Sequence, residues 1–403
     1  MTAPLSGIRV VELASFVAAP AAGALMADLG AEVIKVEVPW GEIYRHSLPR
    51  HAGYGSDFPL APHFQMDNRG KRSVALDLAL PEAVAALHKL VARADVFLTN
   101  MLPERLARLG LAPETLRERH PRLVVARLSG YGPTGPEANS PAFDYSTYWA
   151  RTGFMDVLHE PDAPPAFQRP GMGDHSASLA LVVGVLSALR QRERGGAGQV
   201  IDVALQHIGF YIIGNDAAMT LVSGETPPRH DRRAARNPLW NHYRTQDERW
   251  VFLVMVESDR YWAAFTRALG LDALADDPRF KDAVARFRNN LELIRILDER
   301  FASQPLAAWS AQLAEHRIIW APVLTLAEAV NDEQANAYGS FPTVKHPVAG
   351  EFRTVAPPLK MSGHALHGTS PAPALSADTA AVLREAGVPD EEIALLAAAA
   401  PPR

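Results

Sequence analysis

The stretch "GIRVVELASFVAAPAAGALMADLGAEVIKVE", Gly7 to Glu37, decides the fold class. It opens with a short β-rich run that ends at Leu13, and an alanine-rich helical segment follows until Gly30 ends it. The run from Ala31 to Glu37 is again typical of a strand. Strand, helix and strand at this spacing predict a βαβ unit, in which the two strands run parallel.

The same alternation continues along the first third of the chain. Strands are predicted in "KRSVALDL" (71–78), "DVFLTN" (95–100) and "RLVVARLSGYG" (122–132), and helices in "PEAVAALHKLVARA" (81–94), "LPERLARLGL" (102–111) and "PETLRERH" (113–120). Pro81 stands at the first position of its helix, where a missing N–H costs nothing. The pattern predicts a large, doubly wound, Rossmann-like α/β domain.

The pattern changes after Gln206, and the length of 403 residues favours about two domains. A strand in "WVFLVMV" (250–256) precedes helices in "DRYWAAFTRALG" (259–270) and "NLELIRILDERFAS" (290–303). "HPVAGEFRTVAPPLKMS" (346–362) is typical of extended chain, and two terminal helices follow it. We therefore predict a large domain from residues 1–219, a smaller inserted α/β domain from 220–326, and a return segment, 327–403, that completes the large domain.

Composition excludes several classes of function. Hydrophobic residues make up 48% of the chain, charged residues 21%, and the formal net charge is −5, which favours neither nucleic acid nor a membrane surface as a partner. The chain has no cysteine, so disulfides, thiolate nucleophiles and cysteine metal sites are excluded. The N-terminal residues lack the pattern of a signal peptide, and the apolar run Leu179–Leu189 is about half the length that spans a bilayer. We expect a soluble, cytoplasmic protein.

Common motifs for cofactors are absent from the sequence. The first βα turn reads "ELASFVAAPAAG" and has no G-x-G-x-x-G, and no P-loop or G-x-S-x-G motif occurs elsewhere. His364 and His367 are spaced like metal ligands, but no carboxylate pattern lies near them. We expect a solvated loop there and no metal.

Asp174 is the strongest candidate for a catalytic residue. It lies in "RPGMGDHSASLALVVGVLSALRQRE" (169–193), just ahead of a long apolar segment. Asp is a good helix N-cap, which gives a purely structural interpretation. The two preceding glycines and the small residues that follow would also let another molecule approach closely. A shielded carboxylate, held ionised by the helix dipole, could then act as a nucleophile. The residues alone leave both interpretations open.

Six segments together resemble the class III CoA-transferases, the family of formyl-CoA transferase, the carnitine CoA-transferases and α-methylacyl-CoA racemase. The segments are 4–37, 67–78 ("DNRGKRSVALDL"), 81–111, 120–136 ("HPRLVVARLSGYGPTGP"), 173–205 ("GDHSASLALVVGVLSALRQRERGGAGQVIDVAL") and 346–352 ("HPVAGEF"). In this family the Asp of the G-D motif before the long helix is the nucleophile, and Asp174 stands there. The resemblance implies an enzyme that works as an interlocked homodimer.

The resemblance also implies the reaction and the binding residues. Coenzyme A would move from an acyl-CoA thioester to a small carboxylic acid through an aspartyl anhydride and an aspartyl-CoA thioester on Asp174. The positions that match the family's CoA site are Val17 and Ala18 at the thioester end, Leu76, Asp77, Leu78 and Ala79 at the adenine, Asn100, Met101 and Leu102 at the nucleotide, Arg108 at a phosphate, and Tyr131 at the pantetheine arm.

The chain departs from the family pattern at charged positions. Val38 stands where members often have Arg, and Ser129 replaces a frequent Lys. Lys71 and Arg72 are candidates to supply part of the missing positive charge. The segment "RRAARNPLWNHYRT" (232–245) replaces a glycine-rich loop of some members, which implies a different lid and a different acid substrate.

Two other functions remain as alternatives. Racemases of the family pair the Asp with a His in a "G-H-D" motif, but here Phe143 precedes Asp144, which favours the transferase. An inactive CoA-binding paralogue is the other alternative, and the intact "GMGD" argues against it. Candidates for the acyl pocket are Trp149, Arg151, Phe154, Trp240, Asn241, His242 and Tyr243, and at least half of their aromatic rings should serve packing alone.

Overall fold

The computed structural model describes residues 2–366 and 368–398. The chain packs as two compact units. Unit 1 contains the described residues up to Met155, Phe167–Glu225, and those from Gln334 onward. Unit 2 contains Asp156–Ala166 and Thr226–Glu333. The predicted division into domains 1–219, 220–326 and 327–403 stays a prediction.

A six-stranded parallel sheet forms the centre of unit 1. Its strands are β1 (Arg9–Leu13), β2 (Glu32–Glu37), β3 (Arg72–Ala75), β4 (Val96–Thr99), β5 (Val124–Ser129) and β6 (Val200–Ala204). Their order is β3-β2-β1-β4-β5-β6, the order of a Rossmann-type sheet, and every neighbouring pair is parallel. The sheet confirms the predicted α/β class.

Helices cover both faces of this sheet. They are α1 (Ala18–Asp28), α2 (Pro62–Asn68), α3 (Pro81–Val91), α4 (Pro103–Arg108), α5 (Pro113–Arg119), α6 (Phe154–Val157), α7 (Met172–Glu193), α8 (Leu205–Ile212) and α9 (Gly214–Ser223). Four of them begin at proline, including α3 at Pro81 as predicted. Val11, Ile34 and Phe97 sit side by side in register on the central strands and are buried in the core.

Helix α7 carries Asp174 in its first turn. By length and composition alone its 22 residues could cross a membrane. Within unit 1 it packs against α1, β5 and β6, and about half of its apolar window is buried there. The absence of a membrane partner stays a prediction.

Unit 2 has its own small sheet and core. The antiparallel sheet has the order β7 (His242–Arg244), β8 (Trp250–Leu253) and β9 (Trp320–Pro322). The helices are α10 (Ser258–Ala268), α11 (Ala283–Arg288), α12 (Asn290–Phe301), α13 (Leu306–Glu315) and α14 (Leu326–Ala329). Phe265, Phe301 and Trp309 are fully buried between sheet and helices. The strand and helices predicted at 250–256, 259–270 and 290–303 are confirmed.

The C-terminal segment returns to unit 1. It forms α15 (Glu333–Ala337), the hairpin β10 (Thr343–His346) and β11 (Gly350–Arg353), then α16 (Thr379–Glu385) and α17 (Asp390–Ala398). The carboxylate of Asp378 accepts a hydrogen bond from the backbone N–H of Ser73 at 2.8 Å, and the hydroxyl of Thr379 accepts one from Ala75 at 3.0 Å. These contacts satisfy the free edge of β3, which would otherwise be open to pairing.

Candidate active site

A cavity of about 520 Å³ opens at the carboxyl edge of the parallel sheet, where β1 to β4 end. The strand order reverses between β1 and β4, and this is the point where open α/β sheets bind ligands. Leu13, Val36 and Leu76 line its apolar side, and exposed Trp40 and Ile43 stand at its rim. The cavity can therefore accept an elongated ligand with an apolar part.

A buried ion cluster lies under this cavity. The side chain of Lys35 is fully buried, and its Nζ lies 3.1 Å from Glu12 Oε1 and 2.7 Å from Glu42 Oε1. It also donates to the carbonyl of Ala14 at 3.0 Å. Burial disfavours the ammonium form, but the charges of Glu12 and Glu42 outweigh that effect and raise the pKa of Lys35. The cluster fixes the loop that follows β1.

Phe16, in that loop, links the cavity to the rest of the site. Its φ of 65° is left-handed, which is a strained conformation for a residue with a side chain. The Phe16 N–H donates to Glu42 Oε2 at 2.6 Å, so the ion cluster holds the strained backbone in place. The ring lines the cavity on one side and packs edge-on against Phe143 at 5.4 Å.

Positive charge at the cavity comes from helix α4. Arg105 lines the cavity, and it also lines a neighbouring one of about 480 Å³ together with Arg108. Both guanidinium groups are exposed, and neither has an ion-pair partner among the described residues. Two unpaired arginines one turn apart are suited to a phosphate group. Sequence reasoning missed Arg105, although its spacing from Arg108 puts both on one helix face.

Asp174 lies in the first turn of α7, not at its N-cap. The helix begins at Met172, Gly171 is the N-cap residue, and no side chain caps the helix. The interpretation of Asp174 as a capping residue is therefore wrong. The helix starts earlier than expected because Gly171, at φ 80°, turns the chain directly into it.

The turn that carries Asp174 is packed closely against Asp144. Asp144 Oδ2 accepts hydrogen bonds from the Gly173 N–H at 3.1 Å and from Gln168 Nε2 at 2.6 Å. A methyl group on Gly173 would lie 2.5 Å from Tyr148 Cγ, so only glycine fits there. Asp144 immediately precedes a π-helical segment, Tyr145–Ala150, a rare structure that often marks functional sites.

This packing changes the acidity of Asp174. Burial raises its pKa to about 7, and the negative charges of Asp144 and Asp67 act in the same direction against the opposing effect of His175. Burial thus opposes the ionised form that the position in the first turn of the helix favours. At neutral pH the group titrates, which is typical of reactive carboxylates.

His175, the next residue, contacts a buried carboxylate. Its Nε2 lies 3.1 Å from Oδ1 of Asp67, which is 1% exposed and belongs to helix α2. Burial alone would lower the pKa of His175, but the hydrogen bond and the charge of Asp67 raise it. Sequence reasoning missed Asp67.

Aromatic rings surround the carboxylates. The Tyr44 ring packs at a tilt against His63, with ring centres 4.1 Å apart, and lies 6.1 Å from the Phe16 ring. Tyr145 packs against Phe167 at 5.7 Å. Burial, followed by the charges of Asp67 and Asp174, raises the pKa of Tyr44. The site therefore combines a carboxylate nucleophile candidate with an aromatic wall.

Comparison with known proteins decides the family. The profile of CoA-transferase family III matches residues 5–379. The chain is 30% identical to (R)-2-hydroxy-4-methylpentanoate CoA-transferase of Clostridioides difficile over 96% of this chain and 97% of the relative. It is 32% identical to cinnamoyl-CoA:phenyllactate CoA-transferase of Clostridium sporogenes over 96% and 94% of the two chains. A solved CAIB/BAIF family protein from Brucella suis superposes with a TM-score of 0.84, at 31% identity, over 96% of this chain and 100% of that one.

The chain belongs to CoA-transferase family III. The predicted resemblance is confirmed, and so is the predicted enzyme class, a class III CoA-transferase. The roles of individual residues stay predictions.

Most of the predicted nucleotide residues of the transferase meet at one place. Leu76, Asp77, Leu78, Ala79 and Met101 line the large cavity, and Arg108 lines its neighbour. The other two predicted residues do not line either cavity. The Asn100 side chain bridges the backbone N–H and carbonyl of Ser15, and Leu102 is the exposed N-cap residue of α4.

The predicted residues at the thioester end are more dispersed. Val17 and Ala18 open helix α1 and are buried, with Val17 beside Gly171. Tyr131 lines a separate cavity of about 320 Å³, and the Arg151 guanidinium lies 5.2 Å from its ring centre. Ser129, at the position of the family's Lys, accepts a hydrogen bond from the Gly132 N–H at 2.9 Å.

Lys71 and Arg72 do not replace the missing charge of the transferase. Lys71 is fully buried with its Nζ 2.8 Å from Glu12 Oε2, and burial lowers its pKa to about 8. Arg72 pairs with Glu32 and Glu385, at 2.6 and 2.8 Å. The suggestion that they supply positive charge to the site is wrong, since both side chains already pair with carboxylates of the protein.

The acyl-pocket candidates are mostly packing residues, as expected. In unit 1, Trp149 and Phe154 are buried and stack on each other at 5.2 Å, while Arg151 pairs with Glu137 at 2.9 Å. In unit 2, Asn241 and Tyr243 are fully buried, and the Tyr243 hydroxyl donates to the carbonyl of Pro238 at 2.7 Å. Trp240 is exposed and His242 is half-buried, so both can still contact a ligand.

A metal site finds no support in the residues that the structure describes. No group of three or more potential ligands occurs within residues 2–366 and 368–398. His364 contacts the carbonyl of Asp28 at 3.3 Å, and the prediction for His367 lies outside the described residues. That the protein uses no metal stays a prediction.

Proposed function

We propose that this class III CoA-transferase moves coenzyme A from an acyl-CoA thioester to a small carboxylic acid, with Asp174 as the covalent nucleophile. The observation that carries the proposal is the half-buried Asp174 carboxylate in the first turn of α7, with a pKa of about 7. Phe16 lines the cavity at the sheet edge and contacts Phe143, which directly precedes Asp144 in the chain.

The raised pKa suits a carboxylate nucleophile. A more basic carboxylate is more nucleophilic, and a pKa near neutrality still leaves a large ionised fraction at pH 7. Burial also removes water, which would otherwise solvate the carboxylate and hydrolyse an anhydride. A carboxylate is required because only a mixed anhydride keeps the acyl group energetic enough to exchange with a thioester.

Each step then involves the Asp174 carboxyl group and balances without proton transfer. Asp174 Oδ attacks the thioester carbonyl and the C–S bond breaks. CoA departs as the thiolate, and a mixed anhydride of the acyl group and Asp174 remains. The Asp174 carbonyl next accepts the thiolate, the anhydride C–O bond breaks, and the first carboxylate departs from an aspartyl-CoA thioester. An incoming carboxylate attacks this thioester, and the same two steps in reverse release the new acyl-CoA and free Asp174.

The cavity at the sheet edge fits the nucleotide of coenzyme A. Its apolar wall suits an adenine ring, and exposed Trp40 at the rim offers a stacking surface. Arg105 and Arg108 provide the guanidinium groups that phosphates require. They offset the loss of charge at Val38, which lines the same cavity as Arg105.

The aromatic wall favours an acid with an apolar body. Phe143 and Phe167 are largely exposed, and they stand next to the groups that surround Asp174. Arg169 is exposed, and its charge acts on Tyr145, so it can attract a carboxylate towards Asp174. The relatives named for 2-hydroxy-4-methylpentanoate and phenyllactate use acids of this kind, with one carboxylate and an apolar side chain.

We also propose that the enzyme is a homodimer. Support comes from the apolar residues that helices α7 to α9 leave exposed, among them Val183, Tyr211, Leu221 and Val222, the last at 89%. Large apolar side chains left exposed on successive helices are a feature that a subunit interface explains. A second copy of the chain would cover it.

The substitution Asp174→Asn tests the proposed function. Asn keeps the shape and removes the nucleophile, so turnover should fall at least about a thousandfold while the fold is unchanged. Activity is measured as new CoA esters, resolved by mass, from a panel of donor thioesters with 2-hydroxy-4-methylpentanoate, phenyllactate and succinate as acceptors. Ser187→Ala, which removes a hydroxyl bonded to the carbonyl of Val183 farther along the same helix, is the matched control.

A covalent readout complements the kinetics. Hydroxylamine added during turnover should convert an aspartyl thioester into a hydroxamate, seen as a mass change on the peptide that contains Asp174. A folded Asp174→Asn protein with full activity, or a hydroxamate on another residue, would disprove the assignment.

A further inference from the structure

We infer that His175, held in place by the buried Asp67, is a positioning residue that keeps the neighbouring Asp174 carboxylate ionised. The inference rests on the proposed role of Asp174 as nucleophile and identifies the group that controls its charge.

The His175 ring is fixed from two sides. On one side its Nε2 lies 3.1 Å from Asp67 Oδ1. On the other side the ring lies over Gly171, where a Cβ would come within 3.2 Å of Nδ1. Gly171 has φ of 80°, which favours glycine, and a side chain there would also press against the His175 ring. The ring is therefore held at the start of α7, beside the turn that carries Asp174.

Asp67 needs a cationic partner. Its carboxylate is 1% exposed, and among the described residues it forms no ion pair with Lys or Arg. Its second oxygen, Oδ2, is buried and has no hydrogen-bond partner in the described part of the chain. Because an unpaired buried carboxylate is costly, this arrangement is stable only if His175 carries the compensating positive charge. Asp67 thus favours the protonated form of His175 and raises its pKa.

The charged groups around Asp174 make this proton important. Two further carboxylates face it, Asp144 ahead of the π-helical segment and Asp67 on α2, and both raise its pKa. The hydroxyls of Tyr44 and Tyr145 are also close, and Arg169 acts on Tyr145. Among these groups His175 is the one whose charge lowers the pKa of Asp174.

His63 does not provide this charge instead. Its ring packs at a tilt against Tyr44, its Nε2 is buried without a hydrogen-bond partner among the described residues, and burial lowers its pKa. It is therefore neutral at pH 7, whereas His175 is paired with a carboxylate. Of these two histidines, His175 is the one whose surroundings favour the charged form.

The substitution His175→Gln tests the inference. Gln can still donate a hydrogen bond to Asp67 but carries no charge, so it rescues a structural role and not an electrostatic one. The titration of Asp174 is followed by ¹³C NMR on protein labelled at the aspartate carboxyl carbon, with its signal assigned by its loss in Asp174→Asn. We expect the midpoint to rise by about one pH unit in His175→Gln. His120→Gln, at the amino end of β5, is the matched control and should leave the midpoint unchanged.

The activity profile separates this inference from the proposed function. The acid limb of kcat/KM should move to higher pH by the same amount as the NMR midpoint. An unchanged midpoint in His175→Gln, with Asp174→Asn inactive, overturns the inference and leaves the nucleophile intact. An active Asp174→Asn protein overturns the proposed function, whatever the result for His175.

Discussion

Asp144 offers a sharp test of how the site controls its acidity, because its charge can be removed while its shape is kept. The side chain is 2% exposed and bonded to Gln168 and Gly173. In Asp144→Asn the new carbonyl oxygen can still accept from the Gly173 N–H. Both bonds end on Oδ2, so the same carbonyl oxygen can also accept from Gln168 Nε2, and neither bond has to be lost. We therefore expect the free energy of unfolding to change by no more than about 1 kcal/mol.

The size of the kinetic effect follows from the charge. After burial, Asp144 has the largest effect on the pKa of Asp174, which is about 7. Removing a like charge at this range lowers that pKa by about one unit. At pH 6 the ionised fraction of Asp174 then rises from about 9% to about 50%, since a shift of one unit is a tenfold change in the proton equilibrium. Because the ionised form is the nucleophile, kcat/KM at pH 6, relative to its plateau, should rise roughly fivefold.

The assay is the pH profile of kcat/KM between pH 5 and pH 9 with one donor and acceptor pair. Asp216→Asn, at an exposed position of helix α9, is the control for loss of a carboxylate elsewhere. The reasoning is refuted if the acid limb of Asp144→Asn coincides with that of the parent or lies at higher pH. A change in plateau height alone would indicate a role in positioning rather than in acidity.

Three further predictions follow from the cavity, the ion cluster and the exposed helices. Arg105→Ala and Arg108→Ala should each raise KM for CoA esters about tenfold and leave KM for the free acid unchanged, and equal effects on both substrates would exclude phosphate binding. Lys35→Met leaves Glu42 without its cation and should lower the free energy of unfolding by about 3–5 kcal/mol in denaturant titrations, where a loss below about 1 kcal/mol would contradict the cluster's role. Sedimentation at nanomolar concentration should show a dimer, and a stable folded monomer would contradict the proposed assembly.

The regular elements of unit 1 could be predicted because their patterns are local. The run from Gly7 to Glu37 carries its own strand, helix and strand signals, and the structure confirms β1, α1 and β2. The pairing of His175 with Asp67 could not be predicted, since 108 residues separate them and neither residue is unusual in its own segment. The burial of Lys71 could likewise not be predicted, because its partner Glu12 lies in strand β1, far from it in the sequence.

Asp174 shows how a correct position can have a wrong local interpretation. The sequence pattern of an acidic residue before an apolar run is typical of an N-cap, but Gly171 and Met172 extend the helix by most of a turn towards the N-terminus. The pKa depends on Asp144, which approaches from a different segment. Local pattern thus located the carboxylate, and tertiary packing determined its chemistry.

The π-helical segment Tyr145–Ala150 has a consequence for insertions and deletions. Its hydrogen bond from the Arg151 N–H to the Ser146 carbonyl, at 3.0 Å, spans one residue more than an α-helical turn. Deleting one residue here would restore α-helical spacing and rotate the preceding chain by about 100° about the helix axis. Asp144 would then leave its position under Gly173, while the sheet and both cores remained intact. Loss of a single codon in this segment would thus separate Asp144 from Asp174 without unfolding the protein. An alignment that misplaces one gap here would assign the residue next to Asp144 to the site.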